Sequence, residues 1–215
     1  MAILNQIDLF SGLNPSDLEA IEAGVITRKY PKGAVIVTQE DESHSMYLIL
    51  EGRLRVYRTH EDGKEVRLGT LNTGDYFGEL SLLDTAPRSA SVMAQQPSVL
   101  AMLSRDHVFK CIDQHPALAR VLLASLANRF RVLTIWMSDL ASLDVYGRVA
   151  RFLLDHAYEE EGDLITEAMT QQEIAQHIGA SREMVSRIFK ELRAGGYISS
   201  RGRQTVIHQR LPDRW

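Results

Sequence analysis

Among its 215 residues the chain has a single cysteine, Cys111. One thiol excludes an intramolecular disulfide, a Cys-based zinc site and a four-cysteine iron–sulfur cluster within the chain. It leaves Cys111 to serve as a small buried hydrophobe. Long hydrophobic runs are missing too: nowhere do about eighteen apolar residues follow one another. The opening Met1-Ala2-Ile3-Leu4-Asn5-Gln6 has no basic region ahead of an apolar stretch, so the protein is expected in the cytoplasm, with no membrane partner. Prolines number six, and no low-complexity tract or long repeat occurs. With 45% hydrophobic and 24% charged residues, the composition is that of a soluble globular chain with a core of ordinary size.

The net charge of -4 argues against indiscriminate nucleic-acid binding, but its distribution is uneven. From Arg182 to Trp215 eight cations stand against three anions, a net of +5, which leaves -9 for Met1 to Ser181. A basic tail on an acidic body suits a polyanion at one end.

Three textures follow one another. After an amphipathic stretch from Asp17 to Gly24, the segment from about Tyr30 to Leu103 reads as short strands. Its turn signals are Pro31-Lys32-Gly33, Glu51-Gly52, Asp62-Gly63 and Asn72-Thr73-Gly74-Asp75. Between them lie β-rich runs such as Met46-Tyr47-Leu48-Ile49-Leu50 and Leu54-Arg55-Val56-Tyr57-Arg58, which imply a sandwich or barrel. Beyond Pro116 a long helix is expected. Leu126, Leu133 and Leu140 are seven apart, with Leu122, Arg129, Trp136 and Leu143 as a companion row. This 3.5-residue repeat predicts a parallel coiled-coil seam, hence a homodimer; a helix packed on its own domain would show a similar short run. At Asp144, a capping residue, a new helix with Val149, Phe152, Leu153 and Ala157 on its apolar face begins the last domain. The acidic stretch Glu159-Glu160-Glu161-Gly162-Asp163 reads as a solvated loop.

Thr170-Gln171-Gln172-Glu173 has the form of a capping box, and Ile174, Ala175 and Ile178 give the helix it starts a buried face. Gly179 can end it. Ser181 then starts a second helix, with Val185, Ile188, Phe189 and Leu192 apolar at helical spacing. Two short helices joined at a glycine predict a helix-turn-helix. The second turns Arg182, Glu183, Ser186 and Arg187 outward, where arginine can bond guanine and glutamate can accept from cytosine; a solvated amphipathic helix would also carry mixed charge. Two strands, Gly195-Gly196-Tyr197-Ile198-Ser199 and Gln204-Thr205-Val206-Ile207, flank Ser200-Arg201-Gly202-Arg203. They resemble a wing whose Arg201 and Arg203 would meet phosphates.

In the β-rich half, Gly78-Glu79-Leu80-Ser81-Leu82-Leu83 and Pro87-Arg88-Ser89-Ala90-Ser91-Val92 stand close together. Gly78 permits close backbone approach, and Glu79 to Leu83 reads as one helical turn whose free amides attract an anion. Arg88 can offer a charge-assisted fork to a phosphate, Ser89 a hydroxyl, and Glu79 an acceptor for a sugar hydroxyl.

Gly78-Glu79-Leu80 with Arg88-Ser89-Ala90, the long helix, Leu143-Asp144-Val145 and Ser181-Arg182-Glu183 together resemble the CRP/FNR family of transcription regulators over nearly the whole chain. The resemblance implies an α+β chain with three parts. Residues 1–115 would be an N-terminal double-stranded β-helix, or jelly-roll, that binds a cyclic nucleotide; 116–143 a dimerisation helix; and 144–215 a C-terminal winged helix-turn-helix. By the same resemblance Glu79 holds ribose, Arg88 and Ser89 hold a cyclic phosphate, Gly78, Leu80 and Ser81 frame the pocket, and Arg129 reaches Glu79. It places Arg182, Glu183 and Arg187 on base-reading positions for a half-site resembling TGTGA, and Ser181, Thr170 and Gly202 near phosphates, on an inverted-repeat duplex. RNA polymerase is a further partner the family implies.

Where cyclic-AMP-responsive members present an adjacent Thr-Ser pair to adenine, this chain has Leu133-Thr134. Cyclic AMP is the first effector expected, with cyclic GMP, cyclic di-GMP and ligand-free DNA binding left open, and no cofactor beyond the effector. The N-terminal cysteine cluster of the iron–sulfur branch is missing, and His44, His60 and His107 are isolated for haem ligation. An enzyme built on the β-roll, or a cyclic-nucleotide-regulated effector, is the rival class. Against the enzyme, no His-x-His pair with a following carboxylate occurs in the β region and no nucleophile has a base partner by spacing.

Overall fold

The run Met46-Tyr47-Leu48-Ile49-Leu50 has no polar residue to turn toward water, which only a strand covered on both faces can accommodate. The computed structural model, which describes residues 3–84, 86–160 and 162–212, provides such cover. Met1, Ala2, Glu161, Asp213, Arg214 and Trp215, which entered the readings above, lie outside the described residues.

Two 3-10 turns, Ile3–Gln6 and Asp8–Phe10, and helix α1 (Pro15–Glu22) precede eight strands: β1 (Ile26–Tyr30), β2 (Val35–Val37), β3 (Ser45–Glu51), β4 (Arg53–Thr59), β5 (Glu65–Asn72), β6 (Tyr76–Phe77), β7 (Ser91–Ala94) and β8 (Ser98–Ser104). Helix α2 (Glu79–Asp84) interrupts them between β6 and β7, and α3 (Arg105–Gln114) and α4 (Ala117–Ser142) follow. The strands form two four-stranded antiparallel sheets, ordered β1-β8-β3-β6 and β2-β7-β4-β5.

Alternation along β3 assigns each side chain a layer. Tyr47 and Ile49 meet Leu54, Val37 and Val92 of the opposite sheet. Met46, Leu48 and Leu50 pack outward on Ile21 of α1, Val108 and Cys111 of α3, and Leu118 and Leu122 of α4. Each such buried aliphatic contributes about 1.5–3 kcal/mol. Cys111 is therefore the buried hydrophobe expected, and burial pushes its thiol pKa up.

The chain divides into two compact units, Met1–Phe130 and Arg131–Trp215, with the division inside α4. The second unit continues with α5 (Val145–Asp155), β9 (Ala157–Glu160), β10 (Asp163–Thr166), α6 (Gln171–His177), α7 (Arg182–Ala194), β11 (Ile198–Arg201) and β12 (Gln204–Ile207). Its sheet runs β11-β12-β10-β9. Asp144 caps α5 by accepting from the Gly147 N–H at 2.7 Å. The core joins Val149, Phe152 and Leu153 to Ile174, Val185, Ile188 and Leu192.

Three sequence expectations need correction. Ala157 is not on α5: the helix stops at Asp155, and Ala157 begins β9, paired with Thr166. The acidic stretch is not a loop, because Glu159 and Glu160 are in β9 opposite Leu164 and Asp163 of β10; two charged residues fit an edge strand whose side chains reach water. The companion row of α4 is only partly open. Leu122 is buried in the core, Arg129 bonds Glu79, and the Trp136 indole donates to the His177 carbonyl. The most exposed apolar residues beside Leu133 and Leu140 are Leu123, Phe130 and Met137, which are 65%, 73% and 66% exposed. Apolar residues flank the Leu126-Leu133-Leu140 row on both sides, so periodicity alone could not choose between them.

Candidate ligand pocket and nucleic-acid interface

Between the two sheets and α2 lies a cleft of about 160 Å³. Val37, Val56, Leu71 and Val92 form its apolar wall, and Glu79, Ser81, Arg88, Ser89 and Arg129 converge at its polar end. Gly78 and Leu80 also line it.

Arg88 is only 4% exposed. Its Nε donates to Ser43 Oγ at 2.8 Å, Nη1 to the Gly78 carbonyl at 3.1 Å and Nη2 to the Ser45 carbonyl at 2.6 Å. All three acceptors are neutral, and no carboxylate of the described residues lies within ion-pair distance. Burial accordingly holds the guanidinium below the usual arginine pKa, with Tyr47, Glu79 and Asp41 opposing that shift. A buried cation without a counter-ion, with N–H groups left on both terminal nitrogens, favours an anion in the cleft.

Gly78 makes that arrangement possible. Its φ is +85°, and a Cβ there would sit 2.4 Å from Arg88 Nη1 and 2.7 Å from the Ser45 carbonyl oxygen. The close approach that glycine permits is thus to the chain's own arginine. Glu79, 3% exposed, opens α2 and accepts from Arg129 Nη1 at 2.7 Å through Oε1. The same guanidinium donates to the Tyr76 carbonyl at 3.1 Å and stands 4.3 Å from the centre of the Tyr76 ring. A carboxylate's second oxygen can accept a hydroxyl. Ser81 is buried, its carbonyl held by His44 Nδ1 at 3.2 Å, while Ser89 is exposed at the mouth. Leu133 and Thr134 are not part of the cleft wall; they are exposed on α4 in the second unit.

In the second unit the capping box is complete. Thr170 Oγ1 accepts from the Glu173 N–H at 3.2 Å, and Glu173 Oε2 accepts from the Thr170 N–H at 2.8 Å. Gln171 and Gln172 occupy the first turn of α6. Gly179 takes φ +65° at the turn, and Ser181 caps α7 by accepting from the Met184 N–H at 3.2 Å. Arg182, Glu183, Ser186 and Arg187 form one exposed face of α7, opposite the buried Val185, Ile188, Phe189 and Leu192. Lys190 completes this face. Its spacing of three from Arg187 and four from Ser186 would have placed it there from the sequence.

The wing is a two-residue hairpin. Arg201 pairs with Gln204 across it, and Gly202 has φ +65°, which a tight turn requires. Arg201 lies 3.3 Å from Glu160 and Arg203 3.4 Å from Glu173. The first pair is half exposed on both sides, and such pairs contribute only about 0–1 kcal/mol, so a phosphate can take Arg201. No helix of the described residues is long and apolar enough to cross a membrane, and they contain no metal-binding group of three His, Cys, Asp or Glu.

Residues 27–115 match the family model of the cyclic nucleotide-binding domain, and 147–211 that of the Crp-like helix-turn-helix domain. The chain is 32% identical over 210 residues to a CRP-like cAMP-activated global transcriptional regulator of Mycobacterium tuberculosis, covering 95% of this chain and 94% of that one. It is 35% identical over 185 residues to the cAMP-activated global transcriptional regulator CRP of Escherichia coli, covering 84% and 88%. Among solved structures it is similar to the c-di-GMP responsive global regulator CLP of Xanthomonas campestris. That likeness has a TM-score of 0.73 at 25% identity and covers 91% of this chain and 100% of that one.

Proposed function

The chain belongs to the CRP/FNR family of ligand-responsive, DNA-binding transcription regulators, and we propose that this member is a cytoplasmic homodimer, not an enzyme, controlled by a cyclic mononucleotide, cyclic AMP first. The observation that carries the ligand class is Arg88, a buried guanidinium with no carboxylate partner among the described residues, in the same cleft as the Glu79 carboxylate. One unpaired cation matches one cyclic phosphate. Cyclic di-GMP brings two phosphates, and the wall opposite Arg88 is apolar.

In this reading Arg88 and Ser89 hold the phosphate, Glu79 accepts from the ribose hydroxyl, and Gly78, Leu80 and Ser81 frame the sugar. Residues 1–115 sense, 116–143 dimerise through the open row on α4, and 144–215 read DNA. Arg182, Glu183, Ser186 and Arg187 meet base edges of a TGTGA-like half-site; Thr170, Gln171, Gln172, Ser181, Arg201, Gly202 and Arg203 meet phosphates. Two-fold symmetry sets the half-sites about 34 Å apart on an inverted repeat. Bound at promoters, the dimer touches RNA polymerase. Ligand acts by shifting the population of dimers whose two α7 helices match that spacing.

Calorimetric titration with cyclic AMP, cyclic GMP and cyclic di-GMP, repeated on Arg88→Leu, tests the sensor. Binding of a mononucleotide that the variant loses supports it. Binding that survives the substitution, or binding of cyclic di-GMP alone, overturns it.

A further inference from the structure

The last carbonyls of an α-helix have no partner within it. At the end of α6 two of them are taken by side chains from other helices. The His177 carbonyl accepts from the indole Nε1 of Trp136 on α4 at 3.0 Å, and the Ile178 carbonyl accepts from Nε of Arg148 on α5 at 2.9 Å. Arg148 also donates through Nη1 to the Leu143 carbonyl at 2.8 Å, bonding the α4–α5 junction to the same turn. Gly179, with φ +65°, comes next. A Cβ there would lie 3.4 Å from Leu140 and 3.8 Å from the Trp136 ring, so the backbone of the turn rests directly on α4. The Ala180 N–H then closes on the Ala175 carbonyl at 2.9 Å and delivers the chain to Ser181, the cap of α7.

Helices α6 and α7 share one core through Ile174, Ala175, Ile178, Val185 and Ile188. What holds their turn therefore orients the face that carries Arg182 and Arg187. Trp136 is 42% exposed, so an apolar ring alone gives it modest packing; its N–H is the directed part of the contact. In sequence Trp136 stands seven residues after Arg129, in the same row of α4.

We propose that Trp136 and Arg148 are positioning residues for DNA reading: they fix the turn of the helix-turn-helix to α4 and α5, so operator affinity depends on two side chains outside the reading face. The proposal rests on the DNA-reading function above and deepens it, since it names α4 as the element that sets the presentation of α7.

The test uses the full-length protein. A duplex is selected by the wild type from a random pool, and Trp136→Phe, which keeps the ring and loses the N–H, is titrated against that duplex and a scrambled one at several salt concentrations. Affinity for the selected duplex should fall about two- to tenfold, the loss of one hydrogen bond. Affinity for the scrambled duplex and the salt slope should not change, because no phosphate contact is removed. Arg148→Gln should move in the same direction, and it decides the matter if Trp136→Phe fails to melt cooperatively. Variants that bind the selected duplex as tightly as the wild type overturn this proposal alone. Equal losses on both duplexes overturn it too, since they report general damage. A wild type that selects no duplex overturns the DNA-reading function and the proposal with it.

Discussion

Arg129 and Glu79 meet at 2.7 Å, the carboxylate almost wholly buried and the guanidinium 42% exposed. Fifty positions apart in sequence, they join α4 to the first residue of α2. Arg129→Ala leaves a buried carboxylate without its charged donor. We expect a loss of about 1–3 kcal/mol of stability, toward the lower end because the arginine is partly solvated. Cyclic-nucleotide affinity should fall about 10–100-fold, as expected for one charged hydrogen bond. Denaturant midpoints and calorimetry measure the two; unchanged nucleotide affinity would remove Arg129 from the site.

At Gly78 the backbone conformation and the available space both forbid a side chain. With φ at +85° and Arg88 Nη1 2.4 Å from the would-be Cβ, Gly78→Ala should cost about 1–3 kcal/mol in backbone strain. Displacing Arg88, a charged donor to the anion, should weaken nucleotide binding at least about 100-fold. A variant that melts lower yet binds normally would show that Arg88 does not hold the anion.

The Arg201–Glu160 pair spans 3.3 Å with both side chains half exposed. Glu160→Gln should leave stability within about 0.5 kcal/mol and raise affinity for non-specific duplex a few-fold at low salt. Arg201→Ala should reduce the slope of log affinity against log salt by about 1. Parallel salt plots for wild type and Arg201→Ala would take the wing off the phosphates.

Phe130, 73% exposed beside Leu133 and Met137, sits at the middle of the open row of α4. Two carboxylates facing each other across a seam shut off from water would be strongly unfavourable, so Phe130→Glu should weaken self-association about 100-fold or more. Sedimentation at graded concentrations checks it: a variant as dimeric as the wild type would move the interface elsewhere.

Much of the candidate site was legible because its signals are local. A capping box is four consecutive residues, and Thr170 and Glu173 behave as that pattern requires. Both helices of the reading element and the wing follow from spacing within a few residues, and so does the exposed face of Arg182, Glu183, Ser186 and Arg187. Glu79 and Arg88 fall within a ten-residue window and are legible for the same reason.

The sequence by itself therefore determined the course of α4, α6 and α7, the central runs of β3 and β4, which residues of α7 face away from its core, and that a carboxylate and an arginine share a short anion-attracting segment. Tertiary structure alone decided the rest. It buried Leu122, gave Arg129 and Trp136 hydrogen-bond partners on Glu79 and His177, and left Leu123, Phe130 and Met137 open on α4. It drew the acidic stretch into a hairpin by pairing β9 with β10. It gave Arg88 neutral acceptors from Ser43 and Ser45, more than forty residues away in sequence. The physical reason is range: hydrogen bonds within a helical turn are set by neighbours along the chain, whereas burial and the partner of a side chain depend on which surfaces the folded chain brings together.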